Sequence, residues 1–460
     1  MSAYNRAGAQ ETVDKVHHVL KKPHDVVAHP SSTAGQPSVR SHRSETRFDK
    51  LPEYEILKIK RAVSDITGIA SPFYRLHDGR ASAMTSVEGR SVVNFSSYDY
   101  LGLNGHQAVA AAAKTAIRLF GTSVSASRLS GGERQIHRDL DAALARLHGT
   151  EDALAFVSGH ATNVSVIGAL MGPEDLVIGD AVIHNSIMEG VRLSGAQRIL
   201  FPHDDLEALE RALRLNRARH RRALVVVEGL YGMDGDMPNL AALIKLKRRY
   251  DAWLMVDEAH SVGVLGATGR GIAEEQGIDP ADVDIWMGTL SKALAAMGGY
   301  IAGCRPLIEI LKDVTPGFVF SVGLSPPVAA AAHAAIDVIQ EETWRPAKLR
   351  ENGRAFLRGA KARGLDTGLS IGAAVVPIMI GNSPHAVILS ERLLARGYNV
   401  VPAFFPGVAE NQARLRFFLT SEHTPEQINS VLDVVAEELV NVRNGPPLFS
   451  LVTKSVVTKR

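Results

Sequence analysis

Four short and almost entirely apolar runs constrain the fold of this chain more than any other feature. Such runs are typical of strands that are buried on both faces of a mainly parallel sheet. Longer amphipathic stretches separate several of them, for example Leu240–Tyr250, and these predict helices. The pattern therefore indicates an α/β fold with three layers. The predicted strands are Ala223–Glu228, Trp253–Asp257, Ile285–Thr289 and Tyr300–Ala302.

The same alternation precedes these runs and changes after Pro326, where a smaller α+β domain is predicted. Before Pro326 we predict helices at Gln107–Phe120, Glu133–Leu147, His160–Met171 and Asn185–Leu193, and strands at Val92–Ser97, Asp152–Val157 and Leu176–Ile178. After it we predict helices at Pro327–Gln340, Ala386–Arg396 and Glu426–Val440, and strands at Val375–Ile380 and Arg414–Leu419.

The domain organisation is predicted from changes in composition and periodicity. Residues 1–45 mix Ser, Pro, His and charged residues, with little periodicity beyond a short helix at Glu11–Leu20. This composition predicts a flexible N-terminal arm, and a docking segment for a partner is the alternative. We expect an N-terminal segment over 46–95, a large domain over 96–325, a small C-terminal domain over 326–445 and a tail over 446–460.

The composition excludes several classes of protein. Of the 460 residues, 45% are hydrophobic and 22% charged, which excludes a largely disordered chain. The formal net charge is only +2, so the chain lacks the basic field of a nucleic-acid binder. The single cysteine, Cys304, cannot form an intrachain disulfide or a multi-thiolate metal site.

The sequence also predicts the compartment. The first twenty residues carry no apolar core of a secretory signal. The longest stretch without a charged residue, Thr367–Ser390, is interrupted by Pro377 and Pro384, which makes it a poor membrane span. We therefore expect a cytoplasmic protein without a membrane span.

Polar residues come directly after four predicted strands. Ligands of open α/β sheets bind beyond the carboxyl ends of the strands, so we expect these residues to meet in one pocket. A glycine turn entering a helix suits a phosphate, a lysine beside hydroxyl groups can bind a carbonyl cofactor covalently, and an aspartate can pair with a protonated ring nitrogen. Together they indicate a pocket for pyridoxal 5'-phosphate (PLP). The groups are Ser158-Gly159-His160, Glu228-Gly229, Asp257-Glu258-Ala259-His260 and Thr289-Leu290-Ser291-Lys292.

Each of these residues alone has a simpler interpretation. A lysine after GTLS is most often a solvated residue at the start of a helix. An aspartate at the end of a strand is usually a helix cap, and a lone histidine is usually a hydrogen-bonded core residue. Only the joint arrangement favours the pocket.

VDEAH (256–260) is similar to the acidic box of RNA helicases, so a nucleic-acid motor is an alternative. Such a motor needs a phosphate loop of the form GxxxxGK[ST], and the sequence contains none.

Two further motifs are interpreted as structural. HDD (203–205) precedes LEALERAL and predicts a helix N-cap with acids in the first turn, rather than a metal site. The basic run 211–222 predicts a solvated helix face, with a surface for an acidic carrier protein as the alternative.

Seven longer motifs resemble those of the α-oxoamine synthases, a family of fold-type I PLP enzymes, and follow the family's order. The resemblance implies a large domain with a mainly parallel, seven-stranded sheet between helices, a smaller C-terminal α+β domain, and PLP as cofactor. The motifs are FSSYDYLGL (95–103), GTSVSASRLSGGERQIHRDLD (121–141), SGHATN (158–163), VEGLYGMDGD (227–236), VDEAHSVGVLGATGRG (256–271), GTLSKALAAMGGYIAG (288–303) and ARLRFFLT (413–420).

The resemblance implies roles for the residues at matching positions. Lys292 matches the lysine that binds the cofactor covalently and later moves the substrate's α-proton. Asp257 matches the aspartate that keeps the pyridine nitrogen protonated. His260 matches the histidine that hydrogen-bonds the 3-hydroxyl group of the ring, and His184 the histidine that stacks on the ring. The residues that match the phosphate-binding positions are Gly159, His160, Thr289 and Ser291.

The resemblance also implies a substrate site and a partner. Arg416 matches the arginine that binds the carboxylate of the amino acid, a bidentate task that suits a guanidinium. Arg128 and Ser321, in two of the family-like segments, are likewise assigned to substrate binding. FSVGLSPP (320–327) resembles the segment that reaches into the site of the neighbouring subunit, which implies a homodimer. No metal is implied.

Four positions depart from the family pattern. Gly232 stands where a serine is usual, His160 where an aromatic residue is usual, Tyr98 where a polar residue is common, and Asn185 where alanine is usual. None of them removes a group that the chemistry requires. The first two can alter cofactor tuning or substrate fit.

The implied reaction is a decarboxylative condensation of glycine, alanine or serine with an acyl thioester, which yields an α-amino ketone, CO2 and a free thiol. Residues 51–79 resemble the lead-in of α-oxoamine synthase domains in polyketide assembly lines, so acyl-CoA and acyl-carrier protein are both open as donors. The alternatives are a non-catalytic scaffold subunit of a heterodimeric synthase, and a fold-type I aldolase or aminotransferase.

Overall fold

The computed structural model describes residues 46–67 and 70–445. The predicted arm over 1–45, with its helix at Glu11–Leu20, and the predicted tail over 446–460 lie outside the described residues. The described residues divide into two compact units. One unit contains helix α1 (Pro52–Thr67), which has Glu53 and Glu55 in its first turn, where acids stabilise the positive end of a helix. The other unit runs from Pro72 to Arg443.

The second unit contains all the strands and all the other α-helices of the described residues. In chain order they are β1 (His77–Asp78), β2 (Met84–Val87), β3 (Arg90–Asn94), α2 (Gln107–Phe120), α3 (Gln135–His148), β4 (Asp152–Phe156), α4 (Gly159–Leu170), β5 (Leu176–Asp180), α5 (Asn185–Ser194), β6 (Gln197–Phe201), α6 (Leu206–Asn216), β7 (Ala223–Glu228), α7 (Leu240–Arg249), β8 (Trp253–Asp257), α8 (Ile272–Gln276), β9 (Ile285–Thr289), β10 (Gly299–Gly303), α9 (Arg305–Val314), α10 (Pro316–Val319), α11 (Pro326–Glu341), α12 (Trp344–Ala362), β11 (Val375–Gly381), α13 (Ser383–Ala395), β12 (Tyr398–Asn399), β13 (Pro402–Ala403), β14 (Ala413–Phe418) and α14 (Pro425–Arg443).

The largest sheet has seven strands in the order β4-β10-β9-β8-β7-β5-β6. β10 is antiparallel to both of its neighbours, and the other six strands run in one direction. Side chains of β7 alternate between two hydrophobic cores, with Leu224 and Val226 in one and Val225 and Val227 in the other. Helices cover both cores, which gives the predicted three layers. The fold class is confirmed.

Two smaller sheets complete the second unit. Helices α12 and α13 pack on the antiparallel sheet β11-β14-β13, and α14 packs on both helices. The sheet pairs Arg416 with Pro377. The sheet β1-β2-β3-β12 joins distant parts of the chain, because β12 pairs in parallel with β3. β12 belongs to the predicted small domain and β3 to the predicted N-terminal segment. The predicted domain boundaries stay predictions.

Candidate active site

The sheet topology brings the strand ends that carry the predicted site to one edge. β4, β7, β8 and β9 all run in the same direction, so the residues that follow them meet at that edge. Glu228 and Asp257, the last residues of β7 and β8, are paired in register. The site is therefore assembled by the order of the strands.

The turn after β4 forms a cradle for an anion. Ser158 caps α4 by accepting a hydrogen bond from the Ala161 amide at 3.3 Å. A Cβ atom at Gly159 would lie 2.9 Å from Thr289 Oγ1, so only glycine lets the helix start come this close to the end of β9. Thr289 and Ser291 place hydroxyl groups 3.2 Å apart beside that turn. Free amides at a helix start next to two hydroxyl groups fit a phosphate.

Asp257 is held at the centre of a buried hydrogen-bond network. Its Oδ1 accepts from the Ala259 amide at 3.0 Å and its Oδ2 accepts from Asn163 Nδ2 at 2.9 Å. Asn163 also donates to Ser186 Oγ at 2.9 Å, and Ser186 Oγ lies 2.7 Å from His184 Nδ1. The network thus fixes both the aspartate and the histidine that the sequence assigns to the cofactor ring.

Asn163 is a site residue that the sequence prediction missed. It lies in SGHATN, one helical turn after Gly159, and this spacing was the available signal. Its partners come from α5 and β8, so the role depends on tertiary contacts.

His184 lies where it can cover a flat ring. It caps α5 by accepting from the Ser186 amide at 3.3 Å, and its ring centroid is 6.3 Å from that of His160. Burial lowers the pKa of His184, which favours the neutral imidazole. A neutral ring suits stacking on a cofactor face.

Lys292 follows β9 and faces the two carboxyl groups at the strand ends. Burial lowers the pKa of Lys292 to about 8, although the charges of Asp257 and Glu228 oppose this shift. Burial and the charge of Asp257 raise the pKa of Glu228 to about 8. The neutral, nucleophilic fraction of the lysine at pH 7 is therefore about a tenth, far above that of an ordinary lysine.

His260 is held between Tyr100 and the loop that follows β7. Its Nδ1 lies 2.6 Å from the Tyr100 hydroxyl group, and a Cβ atom at Gly232 would collide with its Nε2. Burial holds the pKa of His260 well below its usual range, so the ring is neutral. The departure at Gly232 thus leaves space that the imidazole uses.

A row of aromatic rings connects Lys292 with Arg416. Lys292 Nζ lies 5.6 Å from the centroid of Tyr98, and the rings of Tyr98 and Phe418 are 4.7 Å apart. The Arg416 guanidinium lies 5.1 Å from the Phe418 centroid, and its Nη1 donates to the Gly232 carbonyl at 2.9 Å. Within the part of the chain that the structure describes, the buried Nε of Arg416 has no hydrogen-bond partner.

Two residues that the sequence assigned to substrate binding have other described contacts. Arg128 is buried and donates to Glu133 Oε2 at 2.6 Å and to Asp141 Oδ2 at 2.7 Å. Ser321 donates to the Val322 carbonyl at 3.3 Å. The assignment of both to substrate binding stays a prediction.

The motif HDD is structural, and the described residues contain neither a metal cluster nor a membrane span. Asp205 caps α6 by accepting from the Ala208 amide at 2.8 Å, as HDD predicts. Among the residues described, no group of three or more His, Cys, Asp or Glu side chains could hold a metal ion. Over 46–67 and 70–445, no helix is long and apolar enough to cross a membrane.

The residues of the site fit PLP. The cradle at Gly159 suits its phosphate, the oriented Asp257 carboxylate suits its pyridine nitrogen, and Lys292 suits its aldehyde. A fold with a seven-stranded mixed sheet and this set of residues defines a PLP-dependent transferase of fold type I.

Comparisons with known proteins identify the family. Residues 90–435 match the family model "Aminotransferase class I and II". The chain is 40% identical over 352 residues to 8-amino-7-oxononanoate synthase 1 of Bacillus velezensis, an alignment that covers 76% of this chain and 88% of the relative. It is 39% identical over 363 residues to the 8-amino-7-oxononanoate synthase of Geobacter sulfurreducens, covering 78% and 91%.

A solved structure agrees with these relatives. Serine palmitoyltransferase of Sphingomonas wittichii superposes with a TM-score of 0.82 at 32% identity, and the match covers 86% of this chain and 100% of that one. The chain belongs to the α-oxoamine synthase family. The predicted family, enzyme class, PLP cofactor and general reaction class, condensation of an amino acid with an acyl thioester, are confirmed.

Proposed function

We propose that this chain condenses glycine, alanine or serine with an acyl thioester and releases CO2 and the free thiol, so that an α-amino ketone is formed. The observation that carries the proposal is the row of contacts from Lys292 through Tyr98 and Phe418 to Arg416. This row supports the proposal because an α-amino acid requires a base and a carboxylate-binding cation, and Lys292 and Arg416 stand at its two ends.

Each side chain of the site would have a separate task in the reaction. PLP, when bound, supplies an electron sink that stabilises negative charge at the α-carbon of the amino acid. Asp257 would hold a proton on its pyridine nitrogen, and Arg416 would bind the substrate carboxylate. Lys292, with its lowered pKa, would remove the α-proton and later return one.

The bond changes on the substrates follow from this arrangement. The α-carbon forms a bond to the thioester carbonyl carbon, and the thiol leaves. The bond between the α-carbon and its carboxylate then breaks and CO2 departs, which leaves a carbon that accepts one proton. His260, which is neutral and lies beside Gly232, would donate or accept a hydrogen bond at a developing oxygen.

The row of aromatic rings favours a small amino acid as the substrate. Tyr98 also contacts His260 edge to face, with ring centroids 6.0 Å apart. The ring therefore occupies space between the base and the carboxylate-binding side chain. A bulky amino-acid side chain would have to displace it.

The donor is an acyl thioester whose carrier is CoA or a carrier protein. One relative is named for the transfer of a palmitoyl group and another for the synthesis of 8-amino-7-oxononanoate, and neither name states the carrier of the acyl group. The basic run 211–222 ends directly before the first residue of β7, at the edge of the sheet opposite the site. Arg217 and Arg221 in this run pair with Asp251 and Asp175. This position does not support the run as a carrier surface at the active-site mouth.

The assembly and the location remain predictions. We infer a homodimer and a cytoplasmic location from the sequence, and size-exclusion chromatography with light scattering checks the first.

The proposed function is tested by product analysis. Purified protein with PLP is given each of the three amino acids and one acyl chain, carried either by CoA or by a carrier protein. We expect an α-amino ketone and equimolar CO2 with one amino acid, and no multiple turnovers from Lys292→Ala. Aldol cleavage or amino-group transfer without CO2 release would overturn the proposal, and the two donor arms decide the carrier.

A further inference from the structure

A second buried network lies beside the site and has no part in the reaction described above. It consists of His203, Asp180, Tyr231 and Asp236, which we name the His203 cluster. The four residues come from three segments: the end of β5, the turn before α6, and the loop that follows β7. The cluster therefore ties together three strand ends at the active-site edge of the sheet.

The geometry of the cluster is that of a doubly paired imidazolium. His203 Nδ1 lies 3.0 Å from both oxygens of Asp180, and its Nε2 lies 2.9 Å from Asp236 Oδ2. The Tyr231 hydroxyl donates to Asp180 Oδ2 at 3.1 Å, and the Tyr231 ring packs edge-on against His203 at 4.5 Å. Both ring nitrogens thus face carboxylates, which requires a proton on each.

The charges around His203 support this state. Hydrogen bonds to Asp180 and Asp236 raise the pKa of His203 to about 10, and Asp204 adds a third neighbouring carboxyl group. His203 is therefore charged throughout the physiological pH range, and it acts as a fixed cationic link between two strand-end segments.

The loop over 229–236 carries this link to the substrate site. The Tyr231 amide donates to the Asp236 carbonyl at 2.9 Å, and the Gly235 amide donates to the Tyr231 carbonyl at 2.8 Å, so the loop is closed on itself. Gly235 has a φ of +71° and leaves no room for a Cβ atom against the Val375 carbonyl. The loop is therefore closed by its own hydrogen bonds and packs closely against β11.

The same loop orients Arg416. The Gly232 carbonyl accepts from Arg416 Nη1 at 2.9 Å, and the Gly232 amide donates to Glu228 at 3.2 Å. Asp234 of the loop forms an ion pair with Arg414, two residues before Arg416 on β14. A continuous series of contacts thus runs from His203 to the guanidinium.

We propose that His203 is a positioning residue for Arg416: it fixes the loop over 229–236 so that the Gly232 carbonyl turns the guanidinium towards the amino acid's carboxylate. This inference rests on the proposed function, in which Arg416 binds that carboxylate. The described contacts of His203 are with Asp180, Asp236 and Tyr231, and none of these three residues is assigned to substrate or cofactor binding. Loss of its charge should weaken amino-acid binding and leave cofactor binding intact.

The test compares His203→Gln with a matched control at the other end of the same strands. His220→Gln is the control, because His220 is also half-buried and also hydrogen-bonded, to Gln197 Oε1 at 2.8 Å and to the Asn216 carbonyl at 2.9 Å. Each holoenzyme is titrated with the amino acid that shifts the visible spectrum of the wild type. The dissociation constant, the cofactor band and the Tm are measured.

We expect only amino-acid binding to change, and only in His203→Gln. In His203→Gln the dissociation constant of the amino acid rises about 3- to 30-fold, the range for a residue that acts through a contact network. The cofactor band is unchanged, and His220→Gln binds the amino acid like the wild type. Unchanged amino-acid binding in His203→Gln, whatever its Tm, would overturn the proposal.

A second variant keeps the test decisive if His203→Gln does not fold. Tyr231→Phe removes only the hydroxyl group that donates to Asp180 and retains the ring against His203. We expect the same direction with a smaller rise, and unchanged binding would again contradict the proposal. A wild type that responds to no amino acid would instead overturn the proposed function, so the two failures are distinguishable.

Discussion

Asn163 donates a hydrogen bond from Nδ2 to Asp257 Oδ2 at 2.9 Å, and the same nitrogen donates to Ser186 Oγ at 2.9 Å. A helix residue thus orients the carboxylate that ends β8. Ser186 also contacts His184 Nδ1. The side-chain amide of Asn163 is therefore linked to both Asp257 and His184, the two residues expected to contact the cofactor ring. This explains how a flat, charged cofactor can be held in a fixed orientation.

Asn163→Ala should weaken PLP binding by about tenfold, because a buried carboxylate loses its donor. The dissociation constant is measured by titrating apoprotein with PLP and following the visible band. Asn352→Ala is the matched control: Asn352 is also a buried amide whose Nδ2 donates twice, to the carbonyls of Thr420 and His423. The control should lose stability and keep its PLP affinity. Equal losses of affinity in both variants would contradict this role of Asn163.

The reaction of the apoprotein with PLP should accelerate as the pH rises through about 8. Burial lowers the pKa of Lys292 from 10.5 to about 8, and only the deprotonated amine is nucleophilic. At pH 7 about a tenth of the amine is therefore neutral, and above pH 9 almost all of it is. The rate of appearance of the visible band between pH 6 and 9.5 measures this. A rate that is still rising tenfold per unit above pH 9 would show an ordinary lysine.

Gly232→Ala should displace His260. The new Cβ atom would collide with His260 Nε2, so the ring must move away from Tyr100. We expect kcat to fall roughly tenfold, because small displacements of reacting groups are costly. Gly131→Ala is the control, since a Cβ atom there meets its nearest neighbour, Ala126 Cβ, at an ordinary 3.7 Å. Full activity of Gly232→Ala would mean that the position of His260 is not important.

Tyr98→Ala should broaden the choice of amino acid. The ring stands between Lys292 and Phe418, and its removal leaves space for a larger side chain. The ratio of kcat/KM for a larger amino acid to that for the natural one should rise at least roughly tenfold, the lower end of the effect of one methylene group in a pocket. Tyr98→Phe retains the ring and should keep the wild-type ratio. If both variants keep that ratio, Tyr98 does not limit the substrate.

The central strands could be predicted from the sequence because their environment is nearly uniform. Ala223–Glu228, Trp253–Asp257 and Ile285–Thr289 occur in the structure with the predicted bounds. Continuous burial on both faces makes such runs distinctive. β6 (Gln197–Phe201) was missed because it is an edge strand with mostly exposed or half-exposed residues. α12 was missed because Pro346, Gly353 and Gly359 interrupt its helical pattern.

The site was predicted only in part, for a similar reason. Asp257, Thr289 and Lys292 follow apolar runs, so the topology alone gathers them. The contacts that orient them join residues far apart in the chain, as between Arg416 and Gly232 or between Tyr100 and His260. HDD correctly predicted the cap at Asp205 but not the contacts of His203 with Asp180 and Asp236, which lie in two other segments.

The most direct test of the central claim is the visible absorption spectrum of the purified protein with PLP, titrated in turn with glycine, alanine and serine. We predict a band that borohydride bleaches, that one of the three amino acids shifts, and that Lys292→Ala lacks. The band would show that Lys292 binds the cofactor, and the shift would name the nucleophile. A protein that takes up no PLP, or a band that persists in Lys292→Ala, would contradict the assignment of Lys292 as the catalytic lysine.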